Sequence, residues 1–300
     1  MSAVEAPPHR AGFACFVGRP NAGKSTLTNA LVGQKVAITS SRPQTTRHTI
    51  RGIVHRDDAQ LVLVDTPGLH KPRTLLGQRL NDLVRTTWGE VDVVGFCIPA
   101  DEEVGRGDHF IARELSTLQT PVVGIVTKTD LVDRPSLAGQ LLAVSKLLDF
   151  ADIVPVSAAR GEQVGVLADV LVGLLPAGPP LYPEGELTDE PEQVLVAELI
   201  REAALEGVRE ELPHSLAVTV EEMVPRSDRD LTDVSANIFV ERPSQKAIVI
   251  GSRGARLRDV GTTARRHIEA LLGTPVFLDL RVKVAKDWQR DPKQLRRLGF

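Results

Sequence analysis

The chain carries two hydrophobic periods. Short apolar runs at residues 13–17, 61–64, 122–126 and 153–156 are too brief for helices and read as buried strands. Longer stretches with helical spacing separate them, and residues 26–32 form the first turns of one. This alternation, from residue 12 to about 175, predicts an α/β domain built on a doubly wound, mostly parallel sheet. Regular structure then breaks. Pro176, Pro179, Pro180, Pro183 and Pro191, with Gly178 and Gly185, predict an extended, semi-rigid interdomain linker. Helical periodicity returns in Ala197, Ile200, Ala204, Val208 and Leu212. Residues 215–220 and 236–240 look like strands. A third apolar segment, 247–250, runs into Gly251-Ser252-Arg253-Gly254. Leu257, Val260, Ala264, Ile268 and Leu271 mark one face of a further helix, and residues 276–284 alternate as a half-buried strand. The pattern divides the chain into a tail (1–11), a first α/β domain (12–175), a linker (176–192) and a smaller α/β domain with a basic tail (193–300).

The ends of the four early strand runs carry the candidate chemistry. The first leads into Gly18-Arg19-Pro20-Asn21-Ala22-Gly23-Lys24-Ser25, followed by Thr26, which fits the phosphate-binding pattern G-x-x-x-x-G-K-[ST]. Its glycines let backbone N–H groups turn toward one point, and the helix N-terminus adds positive potential there. Lys24 would reach the β- and γ-phosphates, and the Ser25 hydroxyl would ligate Mg²⁺. The second run ends in Asp65-Thr66-Pro67-Gly68, where Asp65 would hold Mg²⁺ through a water and Gly68 would offer its N–H to a γ-phosphate. The third ends in Thr127-Lys128-Thr129-Asp130, similar to the N/T-K-x-D guanine-reading motif. Asp130 would accept from the guanine ring N–H and exocyclic amine, with the Lys128 stem over the base. The fourth ends in Ser157-Ala158-Ala159, where the Ala158 N–H would meet the guanine carbonyl. Four such loops in this order predict a GTPase that takes GTP, GDP and Mg²⁺.

The expected catalytic set is Lys24, Thr46, Gly68 and Asn21. Thr46 is the choice for the metal-sensing threonine of the first switch, with Thr45 as the alternative, so the metal set is Ser25, Thr46 and Asp65. Leu69 stands where Ras-like enzymes carry a water-orienting glutamine, which predicts slow intrinsic hydrolysis. Asn21 occupies the position at which some related GTPases ligate K⁺, so acceleration by K⁺ is a further expectation. His70 reads more readily as a switch-loop residue than as a base.

Composition narrows the picture. The 300 residues are 42% apolar but only 4% aromatic, enough for two aliphatic cores. There is no apolar run of membrane-spanning length and no leader-like stretch near Met1, so a cytoplasmic protein is expected. Cys15 and Cys97 fall inside strand runs and read as buried thiols. The net charge of −3 hides an asymmetry. Residues 181–243 carry 5 basic and 16 acidic side chains, and residues 244–300 carry 13 basic and 5 acidic. The basic end fits a polyanionic partner or a solubilising surface, and composition leaves both open.

A G-x-x-G tetrad alone is a weak signal. Here Arg253 lies within it, Lys246 precedes it, and Arg256, Arg258, Arg265 and Arg266 follow. The setting resembles a bacterial-type (type II) KH domain, whose loop clamps the backbone of single-stranded RNA. The candidate RNA residues are therefore Lys246, Gly251, Ser252, Arg253, Gly254, Arg256, Arg258, Arg265 and Arg266. Lys283, Lys286, Arg290, Lys293, Arg296 and Arg297 would reach phosphates or simply be exposed, with RNA slightly favoured. Trp88 and Trp288 read as packing anchors, and Asp101-Glu102-Glu103 as a solvated loop before a helix.

Together with Pro43-Gln44-Thr45-Thr46-Arg47-His48, the segment Lys246-Ala247-Ile248-Val249-Ile250-Gly251, the stretch Lys286-Asp287-Trp288-Gln289-Arg290 and the closing Leu298-Gly299-Phe300, these motifs resemble the Era family of bacterial GTPases over nearly the whole chain. The resemblance implies a monomeric ribosome-assembly GTPase whose KH domain binds small-subunit (16S) ribosomal RNA near its 3′ end. It also implies occasional peripheral contact with the cytoplasmic face of the cell membrane. Two departures stand out: Thr127 where the family has Asn, and Ala159-Arg160 at the end of the fourth loop. A threonine can still hydrogen-bond to the phosphate loop, so guanine selection through Asp130 is expected to survive. A GTPase acting on tRNA modification and a membrane-surface signalling GTPase remain alternatives.

Overall fold

The computed structural model describes residues 8–39, 46, 49–69, 72, 74–206 and 215–300. The chain falls into two compact units. The first comprises Met1–Ala37, Thr46–Lys71 and Leu80–Asp189; the second comprises Ile38–Thr45, Pro72–Arg79 and Glu190–Phe300.

The first unit holds, among the described residues, a six-stranded sheet ordered β2-β3-β1-β4-β5-β6. Its strands are β1 (Arg10–Val17), β2 (Ile50–His55), β3 (Ala59–Asp65), β4 (Val93–Pro99), β5 (Val122–Thr127) and β6 (Asp152–Pro155). Only β2 runs antiparallel to its neighbour. Helices α1 (Lys24–Val32), α2 (Leu75–Glu90), α3 (Arg106–Leu115), α4 (Arg134–Val144) and α5 (Val164–Gly173) connect the strands, the first turn of α2 being counted in the second unit. Every residue of β3 and β4 is buried, as expected of central strands covered on both faces. Alternate residues of β1 enter separate cores. Ala14 and Phe16 pack with Leu27, Leu61 and Leu167; Cys15 and Val17 pack with Trp88, Phe96 and Ile111. Both cysteines are buried thiols and Trp88 is a packing anchor, as the apolar runs imply. Burial pushes the Cys97 thiol up to about 12 and raises that of Cys15 still further.

The proline-rich stretch after α5 is not a bare span. Gln60 Oε1 accepts the Leu181 and Tyr182 N–H groups at 2.6 and 2.8 Å, and Ile53 of β2 donates its N–H to Leu187 O at 2.9 Å. The Tyr182 hydroxyl donates to Asp189 Oδ2 at 2.8 Å. The chain therefore straps the edge strand of its own sheet, which protects unpaired backbone groups there.

The second unit pairs β7 (Ala217–Pro225), β8 (Thr232–Val240) and β9 (Val276–Val284) in that order, with β7/β8 antiparallel and β8/β9 parallel. Helices α6 (Glu192–Leu205), α7 (Pro243–Ile250), α8 (Ala255–Leu272) and α9 (Pro292–Arg297) accompany them. The third apolar segment is thus the end of helix α7. Pro243 occupies its first turn, where a missing N–H costs nothing, and Gln245 Oε1 accepts the N–H groups of Glu241 and Arg242. Ile200 and Ala204 of α6 join Val234, Ile238, Val260, Ala264 and Ile268 in the core, whereas Val208 and Leu212 of the expected stripe lie outside the described residues. Ile38 belongs to this core, and Glu202 Oε1 accepts the Thr39 N–H at 2.8 Å and its hydroxyl at 3.2 Å. Trp288 is fully buried, donates its indole N–H to Ser215 O at 2.9 Å and stacks on Phe300.

Candidate nucleotide site and candidate RNA interface

Parallel winding brings the ends of β1, β3, β5 and β6 to one edge of the sheet, where open α/β sheets bind ligands. The loop after β1 bends through left-handed backbone at Asn21 (φ 63°) and Gly23 (φ 87°) before α1 starts at Lys24. A Cβ on Gly18 would sit 2.5 Å from the Cys97 carbonyl oxygen, so the loop can pass β4 only as glycine. Gly68 is equally constrained, since a Cβ there would lie 2.9 Å from the Pro20 nitrogen and 3.3 Å from Lys24 Nζ. The loop after β3 is therefore pressed against the loop after β1. Thr66 ties it to the sheet by donating its hydroxyl to Phe16 O at 2.8 Å.

Lys24 is buried, and its ammonium folds back to the carbonyls of Arg19 at 3.2 Å and Gly18 at 3.4 Å. Burial pulls its pKa below the ordinary lysine range, with the Asp65 carboxylate opposing. Beside it, Ser25 Oγ donates to Asp65 Oδ2 at 2.7 Å, Thr46 Oγ1 donates to the same oxygen at 3.1 Å, and the two hydroxyls are 3.0 Å apart. Two hydroxyls and a buried carboxylate form the hard oxygen set that Mg²⁺ prefers, so the residues present fit that ion. This places Thr46 in the cluster; Thr45, Pro43, Gln44, Arg47, His48 and His70 lie outside the described residues.

On the base side, Lys128 adopts a left-handed φ of 57° and opens a short 3₁₀ turn, Thr129–Leu131. Asp130 Oδ1 accepts the hydroxyl of fully buried Ser157 at 2.6 Å, which fixes the carboxylate's direction. Ser157 Oγ in turn accepts the Arg160 N–H at 3.2 Å, and Ser157 pairs by backbone with Glu162. Thr127 makes the bond expected of it, donating its hydroxyl to Ala22 O in the phosphate loop at 2.8 Å. Pro67 and Leu69 lie buried in the loop after β3; Thr26 is exposed, and Ala158 and Ala159 stand in the loop beside Asp130. Sequence reasoning missed Asp101, Glu102 and Asp108, whose carboxylates pair with Lys128 and Arg19. The acidic run follows β4, the strand that neighbours both β1 and β5, and that adjacency is set by sheet order and not by local sequence.

In the second unit, Gly251 (φ 73°) and Gly254 (φ 78°) frame the tetrad, and Arg253 between them is also left-handed (φ 50°). A Cβ on Gly251 would meet Arg256 Cβ at 2.7 Å. Ser252, Arg253, Arg258, Arg265 and Arg266 are exposed at the loop and along α8, with Lys246 half-buried on α7. Arg256 is half-buried, and its guanidinium donates to the carbonyls of Ala204 and Glu206 at 3.2 and 2.6 Å and so fastens α8 to the end of α6.

Comparison with known proteins shows the chain's family and fold relatives. A family described as 50S ribosome-binding GTPase matches residues 13–128, and one described as KH domain matches residues 211–289. The chain is 74% identical to the GTPase Era of Streptomyces coelicolor, covering 97% of this chain and 95% of that protein. It is 70% identical to the GTPase Era of Mycobacterium sp. strain KMS, covering 97% and 99%. A crystal structure of Era in complex with MgGDPNP and nucleotides 1506–1542 of 16S ribosomal RNA aligns with a TM-score of 0.94 at 36% identity, over 97% of this chain and 99% of that one. A point variant of Aquifex aeolicus Era bound to GDP·AlF4⁻ aligns at 0.92 and 35% identity, over 97% and 99%.

Proposed function

The chain belongs to the GTPase Era family, and on that premise we propose that it is a GTP-driven switch that grips 16S ribosomal RNA near its 3′ end and assists assembly of the small ribosomal subunit. It hydrolyses GTP to GDP and phosphate. On this reading residues 12–175 are the GTPase domain, 176–192 the linker and 193–300 the KH domain. The observation that carries the reading is the meeting of Lys24, Ser25, Thr46, Asp65 and Gly68 at one end of a sheet whose neighbouring loop fixes Asp130 through Ser157.

The phosphate loop of residues 18–25 and Thr26 surrounds the phosphates. Lys24 leaves its loop carbonyls to meet the β- and γ-oxygens. Ser25, Thr46 and Asp65 (the last through a water) would hold Mg²⁺, which when bound would neutralise charge developing on the transferred phosphoryl group. Gly68 offers its N–H to the γ-phosphate, Asp130 reads the guanine edge, and Ala158 meets the guanine carbonyl. Leu69 brings no hydrogen-bonding group to the attacking water, so intrinsic turnover is slow, and Asn21 is the candidate K⁺ ligand. The G-x-x-G loop with Arg253, Arg258, Arg265 and Arg266 clamps RNA phosphates. Support for coupling comes from Ile38 and Thr39, which precede Thr46 in the chain and are held within the second unit by its core and by Glu202.

The protein is proposed to act as a monomer in the cytoplasm, with peripheral membrane contact as an additional state. No helix among the described residues is long and apolar enough to cross a membrane. The test is the affinity for a 16S 3′-terminal oligonucleotide in the empty, GDP-bound and GDPNP-bound states. Tightest binding with GDPNP is expected. Equal binding in all three states would refute the switch, and preferential retention of tRNA or anionic vesicles would replace the ribosomal assignment.

A further inference from the structure

Three acidic residues, Asp101, Glu102 and Glu103, follow β4 and are exposed. Their backbone is braced. Gln140 Nε2 from α4 donates to Pro99 O at 2.9 Å and Glu102 O at 2.8 Å, while the Ala100 N–H donates to Thr127 O at 2.8 Å. From this fixed base two carboxylates reach cations of two different nucleotide loops. Glu102 Oε2 is 3.0 Å from Arg19 Nη1 and its Oε1 is 4.0 Å from Lys128 Nζ; Asp101 Oδ1 is 3.4 Å from the same Nζ. Arg19 is gripped a second time, its Nε donating to Oδ1 of fully buried Asp108 at 2.9 Å. Asp108 Oδ2 accepts the Gly105 N–H, which fixes that carboxylate as well.

Arg19 belongs to the phosphate loop and Lys128 to the base loop, so the Glu102 carboxylate spans the two loops that hold opposite ends of one ligand. We propose that Asp101 and Glu102 are positioning residues for the guanine nucleotide, holding Arg19 and Lys128 so that the phosphate loop and the base loop keep a fixed separation before the ligand enters. The proposal rests on the nucleotide site described above. Exposed ion pairs add little to folding stability, so the effect belongs in binding, where preorganisation removes an ordering cost.

The sign of the effect separates this role from plain electrostatics. Carboxylates that merely sat near a triphosphate would repel it, and neutralising them would tighten binding. Carboxylates that position Arg19 and Lys128 act oppositely, and their neutralisation weakens binding. The experiment compares wild type, Glu102→Gln, Asp101→Asn and the double variant. It measures fluorescence affinities for GDP and GDPNP, KM and kcat for GTP hydrolysis, and thermal midpoints. The expected result is a roughly three- to tenfold loss of affinity per single variant, equal for both nucleotides, with KM raised in step and kcat within about twofold, the pattern of lost uniform binding. The wild-type advantage shrinks in high salt, since these pairs are solvent-screened. Unchanged or tighter binding in both single variants would overturn the proposal, as would a fall in kcat without a rise in KM. A lowered thermal midpoint in both singles would also overturn it by making the acids structural. A wild-type protein that binds no guanine nucleotide would instead sink the underlying site.

Discussion

The hydroxyl of Thr127 tethers the base loop to the phosphate-loop backbone, which makes Thr127→Val an informative perturbation. Thr127 and Ala22 are 4% and 1% exposed, so water does not replace a lost donor at the Ala22 carbonyl. Valine keeps the shape and removes only the hydroxyl. Orphaning a buried acceptor costs about 1–3 kcal/mol. That cost divides between folding and binding according to where the carbonyl goes. If the empty loop keeps its present path, the loss falls on stability. If it relaxes, the loss reappears when the nucleotide forces the loop back. Asn21 and Gly23 flank Ala22 with left-handed backbone, which a tether must hold in place, so most of the loss should appear in binding. About 1.4 kcal/mol of it corresponds to a tenfold weaker Kd, alike for GDP and GDPNP. Stopped-flow or equilibrium fluorescence with labelled nucleotides gives the affinity, and urea unfolding without nucleotide gives the remainder. Thr127→Ser should behave as wild type. If Thr127→Val changed neither affinity beyond about twofold nor unfolding free energy beyond about 0.3 kcal/mol, the hydrogen bond would have no energetic role and the reasoning would fail.

Further outcomes follow for other parts of the chain. Asp130→Asn should move preference from guanine to xanthine nucleotides, and Ser157→Ala should weaken GTP and GDP about tenfold by freeing the Asp130 carboxylate; competition binding with GTP, XTP and ATP reads both, and unchanged ratios and affinities would refute the base-reading role. Turnover should rise when Na⁺ is replaced by K⁺, and Asn21→Ala should abolish the difference; equal rates in the two salts would discard the potassium role. Arg253→Asp should lower RNA affinity and flatten its salt dependence while leaving basal hydrolysis intact, as filter binding at several salt concentrations would show; an unchanged affinity would reduce the tetrad to a turn. Because burial holds the Cys97 thiol at about 12 and Cys15 higher still, both stay neutral at pH 8 and should resist alkylation until the chain unfolds, so rapid labelling of native protein would contradict the packing.

Much of this protein is written locally. Residues 61–65 are legible as a strand because a short unbroken apolar run that stops at a charged residue and a Thr-Pro-Gly turn is too brief for a helix and suits burial between two layers. Gly18, Gly23 and Gly251 are legible for a similar reason: close approach or left-handed backbone excludes other side chains at those points. The identity of each nucleotide loop therefore comes from neighbours in the chain. Which side chains meet across loops does not. The switch to helix at residues 243–250 depended on a cap that Gln245 supplies after the chain has turned, so an apolar run alone could not distinguish it from a strand. Arg256 looked like every other arginine near the tetrad until α8 packed on α6 and committed it to two carbonyls. The acidic run after β4 looked solvated because its partners, Arg19 and Lys128, are far away in sequence and meet it only where parallel strands end side by side. Sequence sets backbone conformation and burial, which are properties of a few adjacent residues; long-range charge pairing is decided by sheet order, which exists only once the strands have assembled.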